Sequence, residues 1–229
     1  MKQNSEKSKF GDEQRLIPRF PVPKEKIKFL FETGDRIFAI RDLSNKGIAI
    51  SLLEPGESLY FREGEICSSE IRLGEESFPA ALRVARVSAW SVGFTFEELA
   101  EANIQIIHSF LNPMHIGSSL RKVDLSASPD SSFQNISSWY HGAASSDLYF
   151  WTNHRAGIER ALLLLGKTYW EWSENDGVQT GIVDNQDTQR TTLQRDHTPN
   201  PRVCGLVRKV LEHAEVLDYR LVCFLKEKT

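Results

Sequence analysis

The sequence lacks long apolar segments, and its cysteines form no obvious pairs. No apolar run among its 229 residues approaches the roughly 18 that a membrane-spanning helix requires. The N-terminus, Met1–Lys7, is polar and no apolar segment follows it, so we predict neither membrane insertion nor a secretory signal. Cys67, Cys204 and Cys223 are odd in number and widely separated, which predicts reduced thiols in a cytoplasmic protein rather than disulfides.

Patterns of metal-binding and catalytic side chains are also missing. The six histidines have no metal-ligand spacing, and no Ser/His/Asp or Cys/His arrangement stands out. Gly166–Thr168 resembles the end of a phosphate-binding P-loop, but Ala161 occupies a position where that motif requires glycine. We therefore expect no cofactor, no metal ion and no enzymatic activity. His141 and Asp147 are the only residues to consider if the C-terminal half were an enzyme.

A large excess of basic charge is absent as well, because the formal net charge is −3. This argues against binding of polymeric nucleic acid. The charge is nevertheless uneven, since residues 1–28 contain eight Lys or Arg against four Asp or Glu. A locally positive segment suits a small anionic ligand, although a solvated basic tail would have the same composition. With 40% apolar residues the chain can form a packed core, so a globular fold is expected.

From residue 24 to residue 96 nearly every pattern indicates β-structure. Short alternating apolar segments recur between turn residues such as Gly and Pro, which predicts a small antiparallel barrel or sandwich. The predicted strands are Ile27–Phe31, Arg36–Arg41, Ile48–Leu52, Ser58–Phe61, Ile66–Leu73, Ala80–Ser88 and Val92–Phe96. A helix is predicted over Glu97–Leu111, with Pro113 ending it.

Beyond this helix the composition changes. Residues 117–138 include eight serines and few large apolar groups, which predicts a linker between a domain at 1–116 and a second domain at 139–229. The predicted strands of the second domain are Asp147–Thr152, Ile158–Leu165, Lys167–Ser173 and Val178–Val183, followed by a polar loop over 184–200. One long helix is predicted from Pro201 to Leu217, and Tyr219–Leu225 is expected to be a last strand. The second domain is thus expected to be α+β, in a chain that is mostly β.

Two short motifs carry the chemistry of the N-terminal half. Arg15 and Arg19 lie on a proline-containing, non-helical segment, and each guanidinium can donate two parallel hydrogen bonds to a phosphate or to the O6/N7 edge of guanine. Asp42 directly follows one predicted strand and offers an acceptor-only carboxylate that suits the N1–H and N2–H₂ donors of guanine. Ser44 can bond to a base or a phosphate. Gly47 can take a positive φ and lets a ligand or backbone approach closely. Together these groups suit a guanine nucleotide with phosphates.

The pattern Arg15-xxx-Arg19, followed by Asp42-x-Ser44-xx-Gly47 at a strand–turn–strand junction, resembles the paired signature of PilZ domains. The resemblance implies a six-stranded antiparallel β-barrel with a flanking helix that binds cyclic di-GMP. It also implies that Arg15 and Arg19 grip guanine and phosphate from a flexible N-terminal loop. Asp42, Ser44 and Gly47 then form the part of the site on the barrel surface.

The resemblance covers about residues 10–112, half of the chain. Gln14 stands where many PilZ domains have another basic residue, so binding of one ligand or of a stacked pair stays open. We expect a cytoplasmic cyclic di-GMP receptor that transmits a conformational change to a protein partner through residues 139–229, in motility, surface polysaccharide or biofilm formation. The alternative is a PilZ-fold adaptor that binds no nucleotide and acts through protein contacts of its C-terminal domain. The sequence leaves a monomer and a homodimer open.

Overall fold

The computed structural model describes residues 18–125, 136–155, 157–187 and 190–229, and within these ranges it leaves the side chains of 184–187 and 190–192 undescribed. The chain divides into two compact units, residues 1–108 and 109–229. Each unit contains its own seven-stranded antiparallel sheet. Among the described residues, no helix is long and apolar enough to cross a membrane.

The first sheet closes into a barrel. Its strands are β1 (Phe20–Pro21), β2 (Lys26–Phe29), β3 (Arg36–Ser44), β4 (Gly47–Ser51), β5 (Ile66–Leu73), β6 (Glu76–Ser88) and β7 (Ser91–Phe96). Six of them pair in the order β3-β2-β5-β6-β7-β4, and pairing of β3 with β4 closes the ring. The short strand β1 pairs with β3 beyond the end of β2. The predicted six-stranded antiparallel barrel is confirmed.

Alternation along the strands fills the interior of this barrel. Strand β5 buries every second side chain and exposes the others, as a period of two requires. The centre is aromatic: the rings of Phe29, Phe38, Phe61 and Phe94 lie with neighbouring centroids between 5.1 and 5.9 Å apart. Such offset and edge-to-face spacings stabilise a core beyond the burial of apolar area. The packed rings make the barrel a rigid support for residues on its surface.

The predicted strand Ser58–Phe61 is wrong, because Pro55–Tyr60 forms a 3₁₀ helix. The Glu57 carboxylate accepts hydrogen bonds from the backbone N–H of Leu53 at 2.7 Å and of Glu54 at 3.3 Å. A proline at the first helical position presets a helical φ there. Local capping therefore decides the conformation against a weak apolar alternation.

Helix α1 runs over Glu101–Ser119, so it begins and ends later than predicted. The predicted first residue, Glu97, still donates its backbone N–H to the Ala81 carbonyl at 3.0 Å. Pro113 lies inside the helix and does not end it. Ile116 and Leu120, which follow the proline, are buried in the core of the second unit. We attribute the continuation of the helix to this apolar packing, which offsets the hydrogen bond that proline cannot donate.

The second sheet is a meander whose strands follow one another in chain order. They are β8 (Arg121–Lys122), β9 (Ser138–Gly142), β10 (Ser146–Thr152), β11 (Ile158–Leu165), β12 (Thr168–Ser173), β13 (Gly177–Asp187) and β14 (Arg190–Arg195). Two helices, α2 (Pro201–Glu212) and α3 (Tyr219–Glu227), complete the unit. The predicted combination of strand meander and helix is confirmed, but the helix predicted to reach Leu217 ends at Glu212, and a second helix follows it.

The predicted last strand, Tyr219–Leu225, is wrong, because these residues belong to helix α3. The Asp218 carboxylate caps this helix by accepting the backbone N–H of Arg220 at 2.8 Å. Leu225 is fully buried in the core of the second unit. Val222, three residues earlier, is partly buried and packs against the same core. Helical spacing of these apolar side chains therefore accounts for the pattern better than strand alternation.

Two segments predicted to be irregular contain regular structure. The predicted polar loop 184–200 includes the end of β13 and all of β14. Of the predicted linker 117–138, the first residues end helix α1, Arg121–Lys122 forms β8, and Ser138 begins β9. Residues 126–135 of that linker lie outside the described part of the chain. The domain boundaries 1–116, 117–138 and 139–229 therefore stay a prediction.

The second sheet packs different side chains on its two faces. One face meets the helices in a core that includes Leu148, Phe150, Leu163, Trp170, Val207 and Leu211. Side chains of opposite parity form a smaller cluster of Leu162, Tyr169 and Val183, with partly buried Tyr149, Trp151 and Leu164 against it. We call this cluster the aromatic face.

Candidate ligand-binding site at the end of strand β3

The site lies where β3 turns into β4. Ser44 pairs with Gly47 across a two-residue connection, so the turn is a tight hairpin. The Ser44 side chain is buried, and its hydroxyl donates to the Gly47 carbonyl at 3.1 Å. The Ser44 hydroxyl thus holds the turn together from inside.

Of the two predicted reasons for glycine at position 47, the structure shows close approach and not a positive φ. Gly47 does not have a positive φ, which the sequence interpretation allowed. An added Cβ would instead lie 2.2 Å from the backbone carbonyl oxygen of Phe94 on the neighbouring strand β7. Only a residue without a side chain permits β4 and β7 to approach this closely. The predicted close approach is therefore one of backbone to backbone.

A β-bulge brings two charged side chains together just before the hairpin. Ile40 pairs with Ile50 and Asp42 pairs with Ala49, so Arg41 is an extra residue in β3. Bulges bend a strand and re-aim its side chains. As a result the Arg41 Nε–H donates to Oδ2 of Asp42 at 2.8 Å, although neighbouring residues of a regular strand point to opposite sides. Arg41 was not among the predicted site residues.

Strand β1 carries Arg19 to the same carboxylate. Phe20 pairs with Leu43 and Pro21 pairs with Asp42, which fixes the chain entering the barrel beside the end of β3. The Arg19 Nη1–H then donates to Oδ1 of Asp42 at 2.9 Å. The structure therefore joins one residue from each predicted motif, although 23 positions separate them in the sequence.

The two arginines flank one carboxylate and leave a net positive charge. Each guanidinium engages a different oxygen of Asp42, so two positive groups surround one negative group. The side chains remain accessible to different degrees, with Asp42 16%, Arg19 32% and Arg41 51% exposed. Ion pairs with this much solvent access contribute only about 0–1 kcal/mol to stability. They can therefore exchange for contacts with an anionic ligand at little cost.

The remaining predicted site residue, Arg15, lies outside the described residues, as does Gln14. The structure brings Arg19 and Asp42 into contact. It places Ser44 and Gly47 in the adjoining hairpin, buried beneath that contact rather than at the surface. Whether the five residues act together on a ligand stays a prediction.

A second polar cluster occurs on the second sheet. Oδ1 of Asp147 lies 2.8 Å from Nδ1 of His141 and accepts the indole N–H of Trp139, also at 2.8 Å. The Trp139 ring stacks on Tyr149 with centroids 5.9 Å apart. Burial raises the pKa of the Tyr149 hydroxyl to about 12, so this group stays protonated at neutral pH. Within the described part of the chain, no group of acidic, histidine or cysteine side chains could hold a metal ion.

No family model matches the chain, and no curated protein matches it either. Among solved structures, the PilZ domain of YcgR from Escherichia coli with c-di-GMP is 18% identical, with 43% of this chain and 92% of that chain covered and a TM-score of 0.37. The K. pneumonia MrkH–c-di-GMP complex is 16% identical, with 44% and 52% covered and a TM-score of 0.37. The Bacillus subtilis inhibitor of motility MotI/DgrA is 20% identical, with 42% and 48% covered and a TM-score of 0.36.

The matched part of this chain is similar to PilZ domains. PilZ is also the family that the two sequence motifs resemble. The matches span about half the length of the MotI/DgrA and MrkH chains. The barrel assignment itself comes from the strand pairings of this chain.

Proposed function

We propose that the N-terminal unit is a receptor for cyclic di-GMP, without catalytic activity. The observation that carries this proposal is the contact of Arg19 with Asp42 at 2.9 Å, which joins the two motifs at one point of the barrel surface. A weak, partly exposed ion pair with excess positive charge suits an anionic ligand that replaces some of its contacts.

The chemistry of the groups favours guanine with phosphates. A guanidinium can donate two parallel hydrogen bonds to the O6/N7 edge of guanine or to a phosphate, so released Arg19 can hold either group. The Asp42 carboxylate offers about four acceptor positions, so it can accept from guanine N1–H and N2–H₂ while it still binds an arginine. We propose that Arg15 adds a second guanidinium from the N-terminal segment. Ser44 and Gly47 keep the hairpin tight enough to present Asp42.

Calorimetry with cyclic di-GMP tests this function on the full chain. Wild type is expected to bind, and Arg19→Ala is expected to weaken binding roughly 5-fold to 150-fold, because one bidentate contact discriminates by about 1–3 kcal/mol. Arg62→Ala is a matched control, since it removes an equal charge from an exposed loop of the same barrel. An absence of binding heat in wild type, or equal affinity in wild type and Arg19→Ala, would remove the proposal.

We further propose that binding shifts the Arg19 segment and that the C-terminal unit passes the signal to a protein partner. Order–disorder steps of short segments are common switching devices. The aromatic face, where Trp151 and Leu164 are half-buried, has the side chains that interfaces favour. Pull-down with the full chain is expected to capture a partner differently with and without cyclic di-GMP. If the same partner is captured with and without cyclic di-GMP, and by wild type and Arg19→Ala alike, the adaptor alternative is favoured.

A further inference from the structure

Arg41 is held at the site more firmly than an ordinary surface arginine. Its backbone carbonyl accepts the N–H of Val22 at 3.2 Å, next to the pairing of β1 with β3. Its place as the extra residue of the bulge turns the side chain toward Asp42. The Nε–H contact to Oδ2 at 2.8 Å then fixes the plane of the guanidinium. The backbone hydrogen bond, the bulge and the ion pair therefore preorganise the Arg41 side chain, which would otherwise sample many rotamers.

Most of the Arg41 guanidinium remains available to a ligand. An arginine carries five N–H donors, and in the described part of the chain only the Nε–H of Arg41 is bonded. The side chain is 51% exposed, so it is accessible to a ligand. A ligand that reaches Asp42 from this surface therefore meets Arg41 as well.

Arg41 also keeps the Asp42 carboxylate paired when Arg19 is released. Asp42 is only 16% exposed, so a carboxylate left there without any partner would be costly. Because Arg41 occupies the other oxygen, the carboxylate stays paired when Arg19 moves away. The positive charge of Arg19 can then be used on the ligand without leaving Asp42 uncompensated.

Resting on the proposed function, we propose that Arg41 is a further ligand-binding residue that contacts a phosphate of the cyclic dinucleotide. The charge balance of the site favours a phosphate over a base as the group that Arg41 contacts. Arg19 and Arg41 around Asp42 leave one positive charge in excess, and only the anionic phosphodiester neutralises it. The neighbouring carboxylate is the group suited to the guanine edge, so Arg41 beside it is placed for the phosphate of the same nucleotide.

The test is calorimetry with cyclic di-GMP at several salt concentrations on wild type, Arg41→Gln, Arg41→Lys and the control Arg62→Gln. Arg41→Gln is expected to lower affinity roughly 10-fold to 100-fold, as loss of a charge-assisted hydrogen bond predicts. Its affinity should also depend less on salt than that of wild type, because one ionic contact is gone. Arg41→Lys should keep the salt dependence and recover part of the affinity. Arg62→Gln should match wild type.

The outcomes separate this inference from the proposed function. If wild type does not bind, the receptor function itself fails. If wild type binds and Arg41→Gln shows equal affinity and equal salt dependence, only the role of Arg41 fails. If Arg41→Gln and Arg41→Lys lose affinity equally with unchanged salt dependence, Arg41 acts by placing Asp42 and the phosphate contact is wrong. Circular dichroism checks that each variant is folded, and the half-exposed position makes unfolding unexpected.

Discussion

Replacing Gly47 by alanine is expected to force strand β4 away from strand β7. The added Cβ would lie 2.2 Å from the Phe94 carbonyl oxygen and 3.3 Å from its carbon, whereas contacts of real Cβ atoms essentially never fall below 3.0 Å. The opposing atoms are backbone, so no side-chain rotation can relieve the clash. One strand must move by most of an ångström within a ladder that runs from Gly47 to Ser51.

The cost of that movement can be worked from its parts. Overpacking of a well-packed site costs roughly 1–3 kcal/mol. Loss of one ladder hydrogen bond adds about 1 kcal/mol, giving roughly 2–4 kcal/mol in total. For a unit of about 100 residues each kcal/mol shifts Tm by about 4–8 °C, so Gly47→Ala should lower the barrel Tm by roughly 8–30 °C.

Gly93→Ala is the matched control for this substitution. Gly93 lies on β7 and pairs with Ala49 of β4, but a Cβ added there meets nothing within 4 Å. Its Tm is expected to stay within a few degrees of wild type. Scanning calorimetry on the full chain gives both values, and hydrogen exchange of β4 and β7 peptides assigns the change to the barrel. Equal melting and equal exchange in the two variants would refute the reasoning from close backbone approach.

Three further predictions concern stability and reactivity. Gly117→Ala should destabilise the second unit by roughly 1–3 kcal/mol in thermal unfolding, because its Cβ would lie 2.2 Å from the Val210 carbonyl oxygen. Gly205→Ala, with open space around it, should not destabilise it. Burial lowers the pKa of His213, so the unfolded chain binds more protons and stability should fall as pH drops below about 6.5. Denaturant titrations should show a flatter fall for His213→Gln. Burial raises the pKa of the Cys67 thiol to about 11, so peptide mapping should find it alkylated by iodoacetamide at pH 8 only after unfolding.

Strand alternation and turn residues predicted an antiparallel barrel or sandwich, because strands such as β5 bury every second side chain. The choice of a barrel came from the resemblance to PilZ domains. Alternation and turn residues were not sufficient where local or mixed patterns compete. Tyr219–Leu225 is too short to separate a period of two from one of 3.6, and the helix is decided by the Asp218 cap and by packing. Arg190–Arg195 has a polar sequence without apolar alternation, so a strand could not be recognised there. Tertiary packing likewise carries helix α1 through Pro113.

The candidate site was likewise predicted only in part from the sequence. Motif spacing identified Arg19 and Asp42, and the structure brings them into contact. Arg41 could not be identified, because the bulge depends on the register with β4, which no local pattern of β3 contains. Close approach at Gly47 was predicted, but its partner could not be named, since the atom that excludes a side chain belongs to Phe94, far along the chain.

The position of Arg19 depends on the short strand β1. β1 has only two residues, and Pro21, opposite Asp42, has no N–H to donate. Burial of Phe20 and Val22 nevertheless holds this segment against the barrel. Asp42 lies in the closed barrel and has Arg41 as a second partner. The Arg19 side chain can therefore exchange its contact with Asp42 while β1 stays paired with β3 and the carboxylate stays paired with Arg41.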